Sequence, residues 1–256
     1  MMSLKIIVVP CLADNYAYII HDKLANKTTL VDAPDFDPIQ QELEKKKWVL
    51  DNILITHHHE DHIAGVAELS KLHNPKVFGA ESDKCRLPRL DVSLSDRDKF
   101  SIGNHIFKCI DVPGHTLGHV AFYCASENIV FTGDSLMTLG CGRIFEGTAL
   151  QMFESLDQLK KLPEITKVFS GHEYARQNAK FSLTVEPDNS FLIEQAKQIE
   201  INLGLKLPNV GFSLLTEKRT NPFLRADTNE IKVALGLEDR SDLDTFTTLR
   251  KMKDEF

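Results

Sequence analysis

The sequence of 256 residues predicts a layered α/β domain followed by a small domain built of helices alone. Up to residue 171, short apolar runs typical of strands alternate with amphipathic helical stretches, which is the pattern of sheets flanked by helices. After that point the apolar residues recur at helical spacing, as at Leu192, Ile199 and Leu203. We therefore expect two domains, 1–174 and 175–256.

Turn residues divide the chain into elements whose positions follow from the spacing of its apolar residues. The expected strands cover residues 6–9, 16–20, 28–31, 52–55, 76–78, 105–112, 120–124, 129–132 and 167–170. The expected helices cover residues 38–47, 62–72, 150–162, 192–203, 229–235 and 243–253.

Composition and charge exclude several classes of protein. The chain is 42% hydrophobic and 26% charged, which is ordinary for a globular protein with a sizeable core. No apolar run approaches the roughly 20 residues that cross a bilayer, and a net charge of -7 argues against nucleic-acid or anionic-membrane binding. The N-terminal segment lacks the features of a signal peptide, so we expect a cytoplasmic protein. Five scattered cysteines without a CxxC spacing predict free, mostly buried thiols.

The run from Thr56 to His62 contains the pattern HxHxDH. A strand that ends at Thr56 and a helix that begins near His62 would place these side chains on one turn at the edge of a sheet. Imidazole nitrogens and carboxylate oxygens suit zinc, iron or manganese. Packing alone does not explain four histidines and an aspartate within six residues, so the sequence predicts a metal site.

Three later strand ends carry the same kinds of side chain. His115 stands in Pro-Gly-His-Thr, Asp134 in Thr-Gly-Asp-Ser, and His172 in Ser-Gly-His-Glu. Each of them alone is typical of a turn or a helix cap. Together they supply three further candidate ligands at strand ends, where α/β folds place their sites.

These four motifs resemble those of the metallo-β-lactamase superfamily. Within it, further stretches are similar to the glyoxalase II, or hydroxyacylglutathione hydrolase, family, and they extend into the helical region. These stretches are 141–143, 145–148, 171–174, 220–225 and 250–254. The resemblance runs nearly from end to end and implies an αββα sandwich with a small C-terminal all-helical domain.

The resemblance also implies a site for two divalent metal ions, with zinc expected first and iron or manganese as alternatives. Asp61 and Asp134 have the implied catalytic roles, because two cations at one water lower its pKa from about 15.7 towards neutrality and yield a hydroxide nucleophile. We expect His58 and His119 to support the ligands or to pack. The implied ligands are His57, His59 and His115 for one ion, Asp61, His62 and His172 for the other, and Asp134 as a bridge.

The implied reaction is hydrolysis of S-(2-hydroxyacyl)glutathione, typically S-D-lactoylglutathione, to glutathione and D-lactate, the second step of methylglyoxal detoxification. No GxSxG or catalytic-cysteine signature indicates an acyl-enzyme. The alternative is a glutathione persulfide dioxygenase with a single iron on the same scaffold, against which the helical domain and its Arg-x-x-Lys-Asp ending argue. A secreted β-lactamase is disfavoured by the missing signal peptide, and a metal-stabilised binding module would not need an open site with seven ligands.

Four further residues are implied to bind glutathione, whose two carboxylates require local positive charge: Arg143, Tyr174, Arg250 and Lys253. Arg250 and Lys253 are three residues apart and so share one face of a helix, although the pattern alone also fits a solvated basic helix end. Many family members have Lys and Tyr where this chain has Arg143 and Phe145, and bacterial members resemble this version. Phe145 lacks a hydroxyl donor. We expect a monomer that binds a small-molecule thioester and neither nucleic acid nor membranes.

Overall fold

The computed structural model describes residues 4–256 and divides them into two compact units. The first unit contains the described residues up to Asp111 together with Leu117–Gly133, and the second contains Val112–Thr116 with Asp134–Phe256. The predicted boundary between residues 174 and 175 is a different division and stays a prediction. The first three residues of the predicted N-terminal domain lie outside the described part of the chain.

The first unit contains two sheets. In the first sheet the strand order is β1-β2-β3-β4-β5-β6, antiparallel up to β3 and parallel from β3 onwards. In the second sheet strands β7 to β10 are antiparallel neighbours in chain order. The strands are β1 (Leu4–Cys11), β2 (Asn15–Asp22), β3 (Lys27–Val31), β4 (Asn52–Leu54), β5 (Lys76–Ala80), β6 (Val92–Leu94), β7 (Lys99–Ile102), β8 (His105–Asp111), β9 (Val120–Cys124) and β10 (Ile129–Gly133).

Apolar side chains fill both faces of the first sheet. On one face, Leu30 and Ile53 pack in a core cluster with Ile39 and Leu43 of a helix. On the other face, the Phe78 ring of β5 lies 5.3 Å from the ring of Phe100 on β7, which joins the two sheets. The order helix, sheet, sheet follows from this burial. The helices of this unit are α1 (Phe36–Lys46), α2 (Glu60–Ile63) and α3 (Val66–His73).

The helix expected over residues 62–72 is interrupted at Gly65, so that α2 and α3 are separate. The Gly65 N–H donates to the carbonyl of Ala33 at 2.8 Å. A Cβ at Gly65 would lie 3.0 Å from backbone atoms of Asp35 and Phe36. This close backbone approach accompanies the break and favours glycine at this position.

The second unit contains helices and two short strand pairs. Strand β11 pairs with β12, and β13 with β14, both antiparallel. The two residues of β14 lie in the region that we predicted to be all helix, so that prediction is wrong at this point. The strands are β11 (Leu136–Met137), β12 (Gly140–Cys141), β13 (Lys167–Ser170) and β14 (Phe212–Ser213). The helices are α4 (Ala149–Lys160), α5 (Ala175–Val185), α6 (Ser190–Gly204), α7 (Leu214–Thr220), α8 (Asn229–Leu235) and α9 (Asp242–Glu255).

Helix starts in the second unit follow from capping residues. Thr148, Asn189, Ser213, Thr228 and Ser241 each accept a hydrogen bond from the backbone N–H three residues ahead. Such caps satisfy N–H groups that a helix start leaves without an intrahelical partner. They explain why α4, α6, α8 and α9 begin close to the predicted positions, whereas α7 was not predicted.

Candidate metal centre

The histidine-rich turn of the first unit follows β4 and brings ring nitrogens together. His57 is fully buried, and its Nε2 lies 3.1 Å from Nδ1 of His59. The rings of His57 and His62 have their centroids 4.2 Å apart. The structure therefore brings the three predicted histidine ligands of this motif close together. The carboxylate of Asp61 lies beside them, with Oδ2 3.8 Å from Nε2 of His62.

Asp32 anchors this turn, and sequence reasoning missed it. It follows β3, the parallel neighbour of β4, and is 3% exposed. Its Oδ1 accepts the Thr56 N–H, and its Oδ2 accepts the Thr56 hydroxyl, both at 2.8 Å. The same Oδ2 lies 2.9 Å from Nδ1 of His62. The signal that could have found it is an acidic residue directly after a buried strand, in Val31-Asp32-Ala33.

These contacts assign the tautomers of two rings. The Nδ1–H of His62 donates to Asp32, so Nε2 is the unprotonated nitrogen of the neutral ring. Because the Thr56 hydroxyl donates to Asp32, its oxygen accepts from Nδ1 of His57 at 3.0 Å. Nε2 of His57 is then also unprotonated, with Nδ1 of His59 3.1 Å away. Metal-binding histidines have this arrangement, with the second nitrogen held by a carboxylate or another oxygen.

Asn15 is a second residue that sequence reasoning missed. It is buried on β2, and its Nδ2 donates to Oδ2 of Asp61 at 2.9 Å and to the Asp61 carbonyl at 3.0 Å. One amide thus fixes both the backbone and the carboxylate of a predicted ligand.

His58 packs its ring against that of His59, edge to face, with centroids 5.0 Å apart. Its Nδ1 lies 2.9 Å from Oδ2 of Asp83, which is 1% exposed and also bonds to Arg86. The His119 ring stacks on that of His57, with centroids 4.6 Å apart. The supporting role of both side chains stays a prediction.

In the second unit, the remaining three predicted ligands form a cluster. Oδ2 of Asp134 lies 3.4 Å from Nε2 of His115 and 3.1 Å from Nε2 of His172. All three side chains are buried. Nδ1 of His115 donates to the Arg143 carbonyl at 2.8 Å, so its Nε2 is the bare nitrogen. The donor set therefore has the chemistry of a metal site, with two imidazole nitrogens beside one carboxylate oxygen.

The predicted substrate residues also lie in the second unit, in different environments. The ring of Tyr174 stacks on His172 with centroids 4.7 Å apart. Arg143 is largely exposed, with Nε 3.8 Å from Oδ1 of Asp254. Arg250 is 5% exposed, donates to the Cys141 carbonyl at 2.9 Å and pairs with the same Asp254. Their assignment to glutathione stays a prediction.

Lys253 is partly buried on α9. Burial, together with the positive charges of Arg250 and Arg143, lowers its pKa to about 8. Its Nζ lies 3.3 Å from the Gln177 carbonyl and 5.1 Å from the centre of the Phe256 ring. A bound carboxylate would raise the pKa of such a lysine, because the carboxylate favours the charged form.

The five cysteines are free thiols, as predicted. Cys85 is exposed and the other four are buried. Burial raises the pKa of Cys11 and of Cys109 to about 12.

Comparison with known proteins decides the family. A family model described as the metallo-beta-lactamase superfamily matches residues 14–172, and one described as hydroxyacylglutathione hydrolase C-terminus matches residues 173–256. The chain is 49% identical to the hydroxyacylglutathione hydrolase of Ruegeria pomeroyi over 255 residues, covering 100% of both chains. It belongs to the hydroxyacylglutathione hydrolase family. The corresponding protein of Roseobacter denitrificans is 46% identical, again over 100% of both chains.

A solved structure supports the fold. The crystal structure of ETHE1 from Myxococcus xanthus matches with a TM-score of 0.69 at 23% identity, covering 98% of this chain and 90% of that one. At this identity the likeness concerns the fold alone. The predicted metallo-β-lactamase fold with a C-terminal helical domain is confirmed, and so is the predicted hydrolase family over the persulfide dioxygenase. Within residues 4–256, no helix is both long enough and apolar enough to cross a membrane.

Proposed function

We propose that this chain hydrolyses the thioester bond of S-(2-hydroxyacyl)glutathione, with S-D-lactoylglutathione as the typical substrate. The products would be glutathione and D-lactate, as in the second step of methylglyoxal breakdown. The chain is a thiolester hydrolase by family, and the observation that carries the assignment is 49% identity over the full length of a hydroxyacylglutathione hydrolase.

The proposed cofactor is a pair of divalent metal ions. His and Asp side chains that could hold metal come from both units. We assign His57, His59 and His115 to one ion, Asp61, His62 and His172 to the other, and Asp134 to both. The fit rests on the donor set, because Nδ1 of His57, His62 and His115 is held by an oxygen and Nε2 remains for a metal. Zinc suits these nitrogen and carboxylate ligands, as do iron and manganese.

Two such ions, when bound, would lower the pKa of a water molecule and polarise the thioester carbonyl. The residues of the chain prepare this chemistry. Asp32 and Thr56 hold two imidazoles in the tautomer that offers Nε2. Asn15 holds the Asp61 carboxylate, so that an oxygen of Asp61 can accept a proton from water. The leaving thiolate belongs to a thiol of pKa about 8.5 and needs no strong acid.

The proposed glutathione site combines Arg143, Tyr174, Arg250 and Lys253. Lys253 and the exposed Arg143 supply positive charge to a chain of net charge -7. Buried Arg250 supports them indirectly, since its guanidinium bonds to the Cys141 carbonyl and to Asp254. Phe145 is 64% exposed, with its ring centroid 5.2 Å from that of His115. It offers an apolar contact without a hydroxyl donor.

The test measures metal content and hydrolysis on the same preparation. Protein purified without chelator should contain two metal ions per chain and release thiol from S-D-lactoylglutathione without consuming oxygen. A chain with a single iron that consumes oxygen on glutathione persulfide would contradict the proposal. We also propose a cytoplasmic monomer, to be checked by cell fractionation and by light scattering.

A further inference from the structure

The hairpin formed by β11 and β12 joins two parts of the candidate metal centre. Asp134 stands two residues before its first strand, and Arg143 two residues after its second. The Arg143 carbonyl accepts the hydrogen bond that orients His115. The placement of the hairpin therefore decides where a carboxylate ligand and a histidine ligand point.

The tip of this hairpin has an unfavourable backbone conformation. Leu139 has φ 56°, in the left-handed region that costs a residue with a Cβ free energy. Its side chain is fully buried and packs with Ala175 and Ala179 of α5 and with Leu192 and Ile199 of α6. The leucine thus fixes the hairpin tip in the helical core, at the expense of backbone strain.

Side chains from distant segments hold the backbone of the hairpin. Asn178 donates to the Thr138 carbonyl at 2.9 Å, and Ser182 to the Leu139 carbonyl at 3.3 Å. Nδ2 of Asn221 donates to the carbonyls of Met137 and Gly140 at 3.2 and 3.0 Å. Since these groups are buried, each contact replaces a hydrogen bond to water that the fold has removed.

Glu217 is the acidic member of this set. It is 1% exposed, and its Oε2 accepts the Leu139 N–H at 2.9 Å and Nδ2 of Asn221 at 3.0 Å. Burial raises the pKa of this carboxyl to about 7. A buried carboxyl is costly for stability alone. Glu217 accepts the N–H of Leu139, the residue with the unfavourable φ, and so holds the hairpin tip in this conformation.

We propose that Glu217 is a positioning residue for the metal centre, which fixes the hairpin Leu136–Cys141 and thereby sets Asp134 and the Arg143 carbonyl that orients His115. The inference rests on the proposed function, because it takes Asp134 and His115 as metal ligands. A second connection runs beside it. Thr138 donates to the Asn209 carbonyl at 2.8 Å, and the Asn209 N–H donates to Glu173, the neighbour of His172, at 2.9 Å.

The experiment compares Glu217→Ala with Glu217→Gln in the full chain. The alanine removes the acceptor for two buried N–H donors, whereas glutamine keeps one acceptor oxygen. Ile231→Ala, a fully buried position on α8 that is none of the hairpin's partners, is the control for lost stability. Zn²⁺ affinity is measured by competition with a chromophoric chelator, and the Co²⁺-loaded protein is compared by its visible absorption.

Glu217→Ala should lower Zn²⁺ affinity about tenfold, the scale for a residue that orients metal ligands, and should shift the Co²⁺ absorption bands. Glu217→Gln should restore most of the affinity, and Ile231→Ala should lower the melting temperature without changing the affinity. Unchanged Zn²⁺ affinity in Glu217→Ala, or an equal loss in both alanine variants, would overturn the inference.

If Glu217→Ala does not fold, Ser182→Ala removes a weaker contact to the same hairpin tip and should lower Zn²⁺ affinity by a smaller factor. An unchanged affinity in that variant overturns the inference equally. Failure of the proposed function is distinguishable, because it would appear in the unmodified chain as a lack of Zn²⁺ binding or of thioester hydrolysis.

Discussion

The first unit holds its candidate ligands on one turn, whereas the second holds them beside a hairpin. In the first unit, Asp32 anchors Thr56 and His62 from the neighbouring parallel strand, 24 and 30 residues earlier in the chain. In the second unit, the hairpin is held by Asn178, 40 residues away from its partner, and by Arg250, 109 residues away. Residues on neighbouring strands thus support the ligands of the first unit, whereas residues on helices support the hairpin beside the ligands of the second.

This difference determines which substitutions disturb the ligands of each unit. A change near the turn affects His57, His59 and His62 directly and leaves the helices alone. A change in the helical part can alter Asp134 and His115 from a distance, through backbone that carries no ligand. The same chemistry therefore depends on two different kinds of support, and substitutions can separate them.

Asp134→Ala should have the largest effect, because it removes the one carboxylate assigned to both metal ions. We expect hydrolysis to fall by more than about a hundredfold and bound metal to be lost together with it. Metal analysis and thiol release on the same sample check this. Asp157→Ala, an exposed position on α4 that pairs with Lys161, is the matched control. Two retained metal ions and near-normal turnover would refute the shared role of Asp134.

Asp32→Asn should have the second-largest effect, and it tests how the candidate ligands of the first unit are held. The new amide nitrogen would take the place of Oδ1, facing the Thr56 N–H, or of Oδ2, facing the Thr56 hydroxyl and Nδ1 of His62. In either place it meets a group that donates to Asp32. Zn²⁺ affinity should fall about 10- to 100-fold, as for other residues that hold metal-binding histidines. Chelator competition measures it. An affinity equal to that of the unmodified chain would show that the Asp32 carboxylate does not set the ring tautomers.

Lys253 should produce a pH effect on substrate binding. Its folded-state pKa is about 8, so it loses its charge as the pH rises through 8. If a substrate carboxylate binds the charged form, KM should rise about fivefold between pH 8 and pH 9, with a smaller change in kcat. The arginine of Lys253→Arg stays charged between pH 8 and pH 9, so KM should rise much less in that variant. The same steep rise in the arginine variant would exclude Lys253 as its cause.

The smallest effect expected is the pH dependence that Glu217 gives to the stability of the metal-free chain. Its folded-state pKa is about 7 and its ordinary value is 4.5, so the folded chain binds more protons than the unfolded chain between these values. Its contribution to the free energy of unfolding therefore falls as the pH rises from 4.5 to 7. Melting temperatures of metal-free protein at pH 5 and pH 8 should show a smaller drop for Glu217→Gln than for the unmodified chain. An equal drop in both would assign the slope to other groups.

The sequence predicts the candidate ligands better than the side chains that support them. The spacing HxHxDH between a strand and a helix is visible without any structure, and strands such as Val120–Cys124 and Lys167–Ser170 lie where we predicted them. The side chains that support these ligands are harder to find. Asp32 and Asn15 lie on other strands, and only the pairing of those strands brings them to the turn.

Helix α5 shows why parts of the helical region were missed. It buries Asn178 and Ser182, whose side chains bond to the hairpin backbone. A face with buried polar residues does not produce the apolar stripe that predicts an amphipathic helix. Glu217 and Arg250 are also buried polar residues that bond to hairpin backbone, namely to atoms of Leu139 and Cys141. No sequence pattern marks such partners.

The distribution of the five thiols makes the protein convenient for chemical labelling. Cys85 is exposed, two residues after the Asp83 that bonds to His58, while the other four thiols are buried. Because the thiolate is the reactive form, a thiol held at a pKa of about 12, as in Cys11 and Cys109, is almost inert at neutral pH. A maleimide dye or nitroxide would therefore attach first at Cys85. Such a probe would report on the loop beside the histidine turn without any engineered cysteine.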